Sequence, residues 1–308
     1  MIKIVPNSKF KNKFVRRKKV TGTLLIKMEN IIISDEKKFK EIEERFKEDG
    51  LNKIHILADF DKTLTKAFVD GEETPSIISV LRDGSYLTQD YAHRAQELYN
   101  KYHPIENDLN IPKEKKKRLM AEWWIAHFEL LIKSGLNKKD IERVIKSNKI
   151  QFREGFLEFM DFLRENNIPL VIISSAGLGR ESISQKLEQE KKFYDNIYII
   201  SNSFEWDESG KAIAIKQPIV HCANKDETLV QDFPDIFRAI KDRRNVILLG
   251  DSLDDIGMIG GLDYDNLIKI GFLNNRERNR EDAYRSNYDV LILDDSSLDF
   301  INSFLNLV

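Results

Sequence analysis

Ile54-His55-Ile56-Leu57-Ala58-Asp59-Phe60-Asp61-Lys62-Thr63-Leu64-Thr65 decides the fold class and the chemistry together. The apolar run Ile54 to Ala58 has the character of a strand buried on both faces. Directly after it stand two carboxylates, one residue apart. Packing gives no reason for two like charges at a sheet edge, and their repulsion is a reason against it unless a cation sits between them. Alternation beyond a strand can point Asp59 and Asp61 at one site while Phe60 faces away. The arrangement suits magnesium-assisted phosphoryl transfer, with one aspartate as nucleophile and the other as proton donor.

Working outward, further short runs rich in Val and Ile occur at Leu170 to Ser174, Ile197 to Ile200, Val246 to Leu249, Leu267 to Ile270 and Val290 to Leu293. Helical patterns separate several of them, so the sequence predicts an α/β fold with a doubly wound, mainly parallel sheet. Ser34-Asp35 opens a capped helix over Glu36 to Glu48, which Asp49-Gly50 closes. Between the first two core strands lies an excursion of about a hundred residues that reads helical. Its helices are expected near Gln89 to Tyr102, Lys113 to Lys133 and Lys138 to Lys146. A crossover of that length is an inserted helical cap rather than one connecting helix. The expected organisation is a basic extension over 1–28, a catalytic core over 29–67 and 151–308, and a cap over 68–150 that sets substrate specificity. Asp207-Glu208-Ser209-Gly210 is read as the turn of a small β-hairpin between Ile197–Phe204 and Ala212–Ile215, near the sheet's edge.

The bulk composition excludes several classes. A net charge of −2 over 308 residues argues against a general nucleic-acid binder. The single cysteine, Cys222, rules out a disulfide framework within the chain and argues against a zinc site. No apolar stretch approaches the ~20 residues that cross a bilayer. The expectation is a cytoplasmic protein without membrane or nucleic-acid partners. From Met1 to Met28 there is no acidic residue, while Lys9, Lys11, Lys13, Arg16, Arg17, Lys18 and Lys19 cluster. An organelle transit peptide and a contact for an anionic surface are alternatives, but the segment is Lys-rich and lacks a signal-peptide apolar core, so it reads as a solvated or loosely packed extension.

Ligands of open α/β sheets bind outside the carboxyl ends of the strands, and three further strand ends or loops carry polar residues there. Ser174-Ser175-Ala176-Gly177-Leu178-Gly179 offers a hydroxyl and backbone N–H groups to an anion. Lys225 follows His221-Cys222-Ala223-Asn224. Gly250-Asp251-Ser252-Leu253-Asp254-Asp255 is an acidic cluster of the kind that holds magnesium. The remaining histidines, His55, His93, His103 and His221, form no nucleophile–base pair.

In this order the four segments resemble the haloacid-dehalogenase-like hydrolase superfamily. Within it, Asp59–Thr65, Phe152-Arg153-Glu154-Gly155, Ser175–Gly179, Ile219–Lys225, Leu248–Ser252 and Lys269–Asn274 resemble pyrimidine 5′-nucleotidases of the cytosolic 5′-nucleotidase III type. The resemblance implies a Mg²⁺-dependent 5′-nucleotidase that hydrolyses pyrimidine nucleoside monophosphates. Asp59 would be the nucleophile and Asp61 the acid/base. Mg²⁺ would be held by Asp59, the backbone carbonyl of Asp61 and Asp251. Lys225, Ser175 and the N–H of Ala176 would hold the phosphoryl oxygens, and Asp255 would orient Lys225 or a metal-bound water. The same resemblance implies that Glu106 meets the base and that His127 lies at a base-lining position; of the adjacent Trp123 and Trp124, which cannot both face one way on a helix, one is read as core and Trp124 as a stacking face for the base.

The sequence departs from the family at Ala67, where relatives carry an aromatic residue, at His127, where they have a small hydroxyl, and at Asp254, which replaces a glycine. These changes bear on base preference rather than on the chemistry. Dehalogenases of the superfamily lack the second aspartate, and P-type pumps have membrane helices, so neither fits. Alternatives are a phosphatase for phosphoserine or a sugar phosphate, a nucleoside phosphotransferase, and a non-catalytic nucleotide-binding module.

Overall fold

The computed structural model describes residues 30–108, 110–225, 230, 232–275 and 278–308; the basic extension over 1–28 lies outside them. Its elements are β1 (Ile31–Ile33), α1 (Glu36–Asp49), β2 (Ile54–Ala58), β3 (Phe68–Val69), β4 (Glu72–Glu73), α2 (Ile77–Asp83), α3 (Tyr91–Asn107), α4 (Lys113–Lys133), α5 (Lys138–Lys146), α6 (Phe156–Glu165), β5 (Leu170–Ser174), α7 (Arg180–Gln189), β6 (Ile197–Ser201), β7 (Phe204–Trp206), β8 (Ala212–Ile215), α8 (Pro234–Ile240), β9 (Asn245–Gly250), β10 (Asn266–Leu273), α9 (Arg278–Asn287), β11 (Val290–Leu293) and α10 (Asp299–Leu305).

The main sheet runs β1-β11-β10-β9-β2-β5-β6. Every pairing in it is parallel except β1 with β11. The strand that carries the paired aspartates, β2, lies between β9 and β5, and all five of its residues are buried. Its side chains alternate between two apolar layers. Ile54, Ile56 and Ala58 join the layer with Phe39, Phe159 and Phe304, whereas Leu57 joins Val171, Val246, Leu248 and Ile240. Helices cover both faces, which is why the core strands read as continuous apolar runs rather than alternating ones. At the start of this layer, Asp35 caps α1 by accepting from the Lys38 N–H at 3.0 Å, and Gly50 ends the helix in a left-handed conformation (φ 74°).

The excursion between β2 and β5 leaves and re-enters through one neck. Thr65 bridges Phe152, and the Lys66 N–H donates to the Gln151 carbonyl at 2.8 Å. Beyond the neck the β3–β4 pair and α2 precede the long helices; both lie in a stretch without apolar periodicity long enough to announce them. The apolar faces of α4 and α5 share the core's own cluster, through Phe128, Leu131, Ile141 and Val144.

The hairpin turns at Asp207–Gly210 and returns through Ala212–Ile215 as expected, but its first strand is shorter than expected. Ile197–Ser201 is the sheet's parallel edge strand, and the antiparallel pair is the shorter β7–β8, which forms a sheet of its own. Asn202 makes the break: its buried amide exchanges hydrogen bonds with the Val220 backbone, at 2.9 Å in each direction. The hairpin then props the excursion. The Ala212 N–H donates to Leu136, the Lys138 N–H to Gly210, and Phe204 packs edge-on to Phe128.

Candidate active site

The ladder continues one residue past β2, because the Asp59 N–H donates to the Leu249 carbonyl at 3.0 Å. Asp59 is thereby fixed at the junction of two central strands and is only 5% exposed. Phe60 is fully buried and meets Phe152 edge-on. The chain then reverses through Lys62 at φ 59°.

The Lys225 ammonium, itself buried, reaches Asp59 Oδ1 at 2.5 Å and Asp255 Oδ1 at 3.1 Å. Asn224 shapes the loop that presents this lysine: its Oδ1 accepts from the His221 N–H at 2.7 Å and its amide donates to the Ile219 carbonyl. Asp255 uses its other oxygen to accept from the Asp251 and Ser252 N–H groups, at 3.1 and 2.9 Å. Tyr284 and Tyr288 hold the same turn by donating to the carbonyls of Asp251 and Ser252, both at 2.5 Å. Gly250 is required here, since a Cβ at that position would lie 2.6 Å from the Asp255 Cβ.

Carboxylate oxygens of Asp59, Asp251 and Asp255 lie within 4.8 Å of one another. Burial raises the Asp59 carboxyl well above the ordinary range; Lys225 opposes this, and Asp255 and Asp251 add to it. Burial, then Asp255, pushes Asp251 up to about 7. Burial works against the Lys225 ammonium too, but Asp255 and Asp59 outweigh it and keep it protonated. One lysine thus faces three carboxylates, an imbalance that a divalent cation with oxygen ligands would relieve. Both oxygens of Asp255 are already engaged, so the donors that fit a cation are Asp59 and Asp251.

Asp61, on the far side of the turn, has its carboxyl raised from 3.8 to about 6 by burial, with Lys225 and Lys62 opposing. It lines a cavity of about 420 Å³ together with Ser175 and Gly177 at one end and cap residues elsewhere. Ala176 is buried beside them, and its carbonyl accepts from the Gly179 N–H at 3.0 Å. Gly177 permits a close approach: a Cβ there would come 2.9 Å from Ile78 Cβ on α2 and 3.2 Å from His127 Nε2 on α4.

Glu106, Trp124 and His127 line this same cavity. Glu106 sits in the last turn of α3, where burial raises its carboxyl, and it lies against the Cys222 thiol. Trp123 and Trp124 stack on each other at 5.7 Å, and Trp123 also stacks on Tyr102. Both indoles therefore belong to one aromatic wall. Burial pushes His127 down to about 4, so its ring is neutral at physiological pH. Among the described residues, three that line the cavity carry buried polar atoms without a partner: Thr74 Oγ1, Tyr91 Oη and Trp124 Nε1. Such atoms are costly when empty and call for a polar ligand.

Two supports escaped sequence reasoning. Arg153, fully buried at its side chain, donates to Thr63 O at 2.7 Å, Asp295 Oδ1 at 2.8 Å, Ser296 O at 3.0 Å and Asn274 Oδ1 at 2.6 Å, and also to Lys62 O. It lies 4.2 Å over the Phe272 ring. The turn after Asp61 is thereby clamped to the loops after β10 and β11. The only signal in the sequence was a charge set among Phe152, Gly155 and Phe156. The second support is Lys116 on α4, whose ammonium lies 3.7 Å from Asp254 and ties the excursion to the acidic turn.

Residues 62–308 match the family described as Pyrimidine 5′-nucleotidase (UMPH-1). The chain is 33% identical to the 7-methylguanosine phosphate-specific 5′-nucleotidase of Gallus gallus over 263 residues, covering 85% of this chain and 90% of that protein. The enzyme of the same name from Homo sapiens is 32% identical over 267 residues, 86% of this chain and 88% of that protein. Among solved structures, cytosolic 5′-nucleotidase IIIB bound to cytidine superposes with a TM-score of 0.83 at 27% identity, covering 91% of this chain and 94% of the other. A haloacid-dehalogenase-family hydrolase from Salmonella enterica shares the fold, with a TM-score of 0.52 at 19% identity, covering 82% of this chain and 70% of the other.

Proposed function

This chain belongs to the pyrimidine 5′-nucleotidase family and is a phosphoric monoester hydrolase, and from that premise we propose that it hydrolyses pyrimidine nucleoside 5′-monophosphates, with Mg²⁺, through an aspartyl-phosphate on Asp59. The observation that carries the reading is the buried Asp59–Lys225–Asp255 chain, with Asp61 opening from it onto a cavity walled by aromatic residues. In the first half-reaction an Asp59 oxygen bonds to phosphorus while the bond from phosphorus to the 5′-oxygen breaks. Asp61 gives its proton to that oxygen, and the nucleoside leaves neutral. In the second, water attacks phosphorus, Asp61 takes a proton from it, and the bond to Asp59 breaks to release phosphate. Asp59, the Asp61 backbone carbonyl and Asp251 would hold Mg²⁺, which supplies charge neutralisation between the anionic nucleophile and the phosphate. Lys225, Ser175 and the Ala176 N–H hold the phosphoryl oxygens. Asp255 orients Lys225.

Residues 68–150 act as the cap that excludes water and selects the leaving group. Trp124 stacks on the base, Glu106 accepts from its exocyclic amine, and His127 closes the wall beside the phosphate loop. A second reading has its own support. The chicken and human relatives are named for 7-methylguanosine phosphate, whose methylated base is cationic and would gain from the Trp123–Trp124 wall and the Glu106 carboxylate. The reaction is assigned to the cytosol, because the structural neighbour is a cytosolic enzyme; among the described residues no helix is long and apolar enough to cross a membrane.

The test is a phosphate-release screen with Mg²⁺ against CMP, UMP, 7-methylguanosine monophosphate, phosphoserine and sugar phosphates. Pyrimidine nucleotides should lead. Equal or better turnover of phosphoserine or sugar phosphates would remove the nucleotidase assignment, and a lead for the methylated purine would establish the second reading.

A further inference from the structure

The strongest unexplained group in the cavity wall is Arg82. It sits on α2 one helical turn beyond Ile78, on the same face. Ile78 is the residue that Gly177 of the phosphate loop packs against. A four-residue step along a helix advances about 6 Å, so Arg82 stands about that far along α2 from this contact. Its guanidinium lies 4.9 Å over the Tyr99 ring and donates from Nε to Asp83 Oδ1 at 3.0 Å. Those contacts orient the group without using its two terminal nitrogens. The side chain is 16% exposed and lines the cavity, whereas its partner Asp83 is 58% exposed, so the carboxylate is largely spent on solvent.

Around Arg82 the cavity is rich in donors. Trp124 Nε1 can only donate, Tyr91 Oη and Thr74 Oγ1 can donate, and none has a partner among the described residues. Four carboxylates line the cavity, Asp61, Glu73, Asp83 and Glu106, and the last of these sits on α3 with Tyr99. Tyr99 feels both groups: burial raises its phenol, Arg82 lowers it and Glu106 raises it again. A leaving group that satisfies this wall presents hydrogens to Glu106 and a carbonyl oxygen to the donors. Cytosine and 7-methylguanine both have that pattern, an amine near a ring carbonyl.

We propose that Arg82 is a specificity-determining residue whose terminal nitrogens donate to a carbonyl oxygen of the substrate's base. This rests on the nucleotidase reading above and adds to it the group that recognises the carbonyl. Arg82 acts on binding, away from the reacting atoms, so its loss appears in KM.

Steady-state kinetics of R82M and R82K tests this, with CMP, 7-methylguanosine monophosphate and the base-free ester ribose 5-phosphate as substrates. For whichever nucleotide the wild type prefers, R82M should raise KM by about 10- to 100-fold with kcat nearly kept, the range for a hydrogen bond from a charged donor. R82K should recover part of that loss, and kcat/KM for ribose 5-phosphate should not move. An unchanged nucleotide KM in R82M would overturn the proposal. So would an equal loss on ribose 5-phosphate, which would mean a grip on phosphate or a structural role. A wild type that turns over ribose 5-phosphate as well as any nucleotide would remove the nucleotidase reading itself. A wild type that prefers nucleotides, with R82M keeping that preference, would remove only the role of Arg82.

Discussion

Replacing Asp61 with asparagine separates proton transfer from every other task of the site. The amide keeps the shape of the carboxylate, and among the described residues no ion pair anchors Asp61, so the turn should fold unchanged. Burial raises the Asp61 carboxyl from 3.8 to about 6. At pH 7 that leaves about a tenth of the molecules with the proton in place, roughly a hundredfold more than an unshifted aspartate would have. The sign follows. The proton-bearing form dominates below about pH 6, and its share falls tenfold per unit above it. For an alcohol leaving group, kcat/KM should therefore fall along a limb of unit slope above pH 6, set by the free enzyme. D61N should lower kcat/KM for a nucleoside monophosphate by about 10²–10⁴ and abolish that limb. With phenyl phosphate, whose leaving group resembles the tyrosine phenol of pKa about 10, expulsion needs the proton far less. The loss there should stay below about tenfold for formation of the phosphoenzyme, read as the burst of phenol release. Equal losses on both esters would refute the assignment of Asp61 as the acid.

Three other perturbations have outcomes set by named contacts. R153M should lower the unfolding free energy by about 3–5 kcal/mol in urea titrations, since it leaves Asp295 buried without its cation; adding D295N should restore part of this, and simple additivity would contradict the coupling. Mg²⁺ affinity should rise about tenfold or more per pH unit up to about pH 7, because the metal competes with the protons that burial holds on Asp251 and Asp59. The metal-free fold should correspondingly lose stability as pH climbs from about 4 to 7, and calorimetry in buffers of different ionisation enthalpy would expose an absent proton release. G177A should cost about tenfold in kcat/KM with little change in Tm, because its Cβ would push Ile78 and His127 from the phosphate loop; unchanged kinetics would show that this contact does not position the loop.

Much of the core could be read from the chain because its determinants are local. The runs at β2, β5, β9 and β11 are apolar apart from His55, Ser174 and Asn245, as two covered faces require, and the Asp35 cap acts three residues away, on Lys38. The hairpin's turn and second strand were legible, but its first strand was read too long because a strand pattern says nothing about its partner; the decision fell to Asn202, whose amide binds Val220 eighteen positions on, between β6 and β7. Arg153 was quoted only as part of a family-like phrase. Its meaning depends on Asp295, 142 positions away, and on Asn274.

By itself, the sequence determined that two aspartates follow a buried strand and that a lysine and an acidic turn follow later, since these are contiguous patterns along the chain. Tertiary structure decided which of these groups meet. It closed Lys225 onto Asp59 and Asp255 across 166 and 30 positions, and it engaged both oxygens of Asp255 so that Asp59 and Asp251 are left for a cation. It also brought Arg82, Tyr91, Trp124 and Glu106 around one cavity. Side chains from different helices converge through packing that no local pattern encodes, and for that reason the leaving group's identity belongs to the tertiary structure while the phosphoryl chemistry is written in the chain.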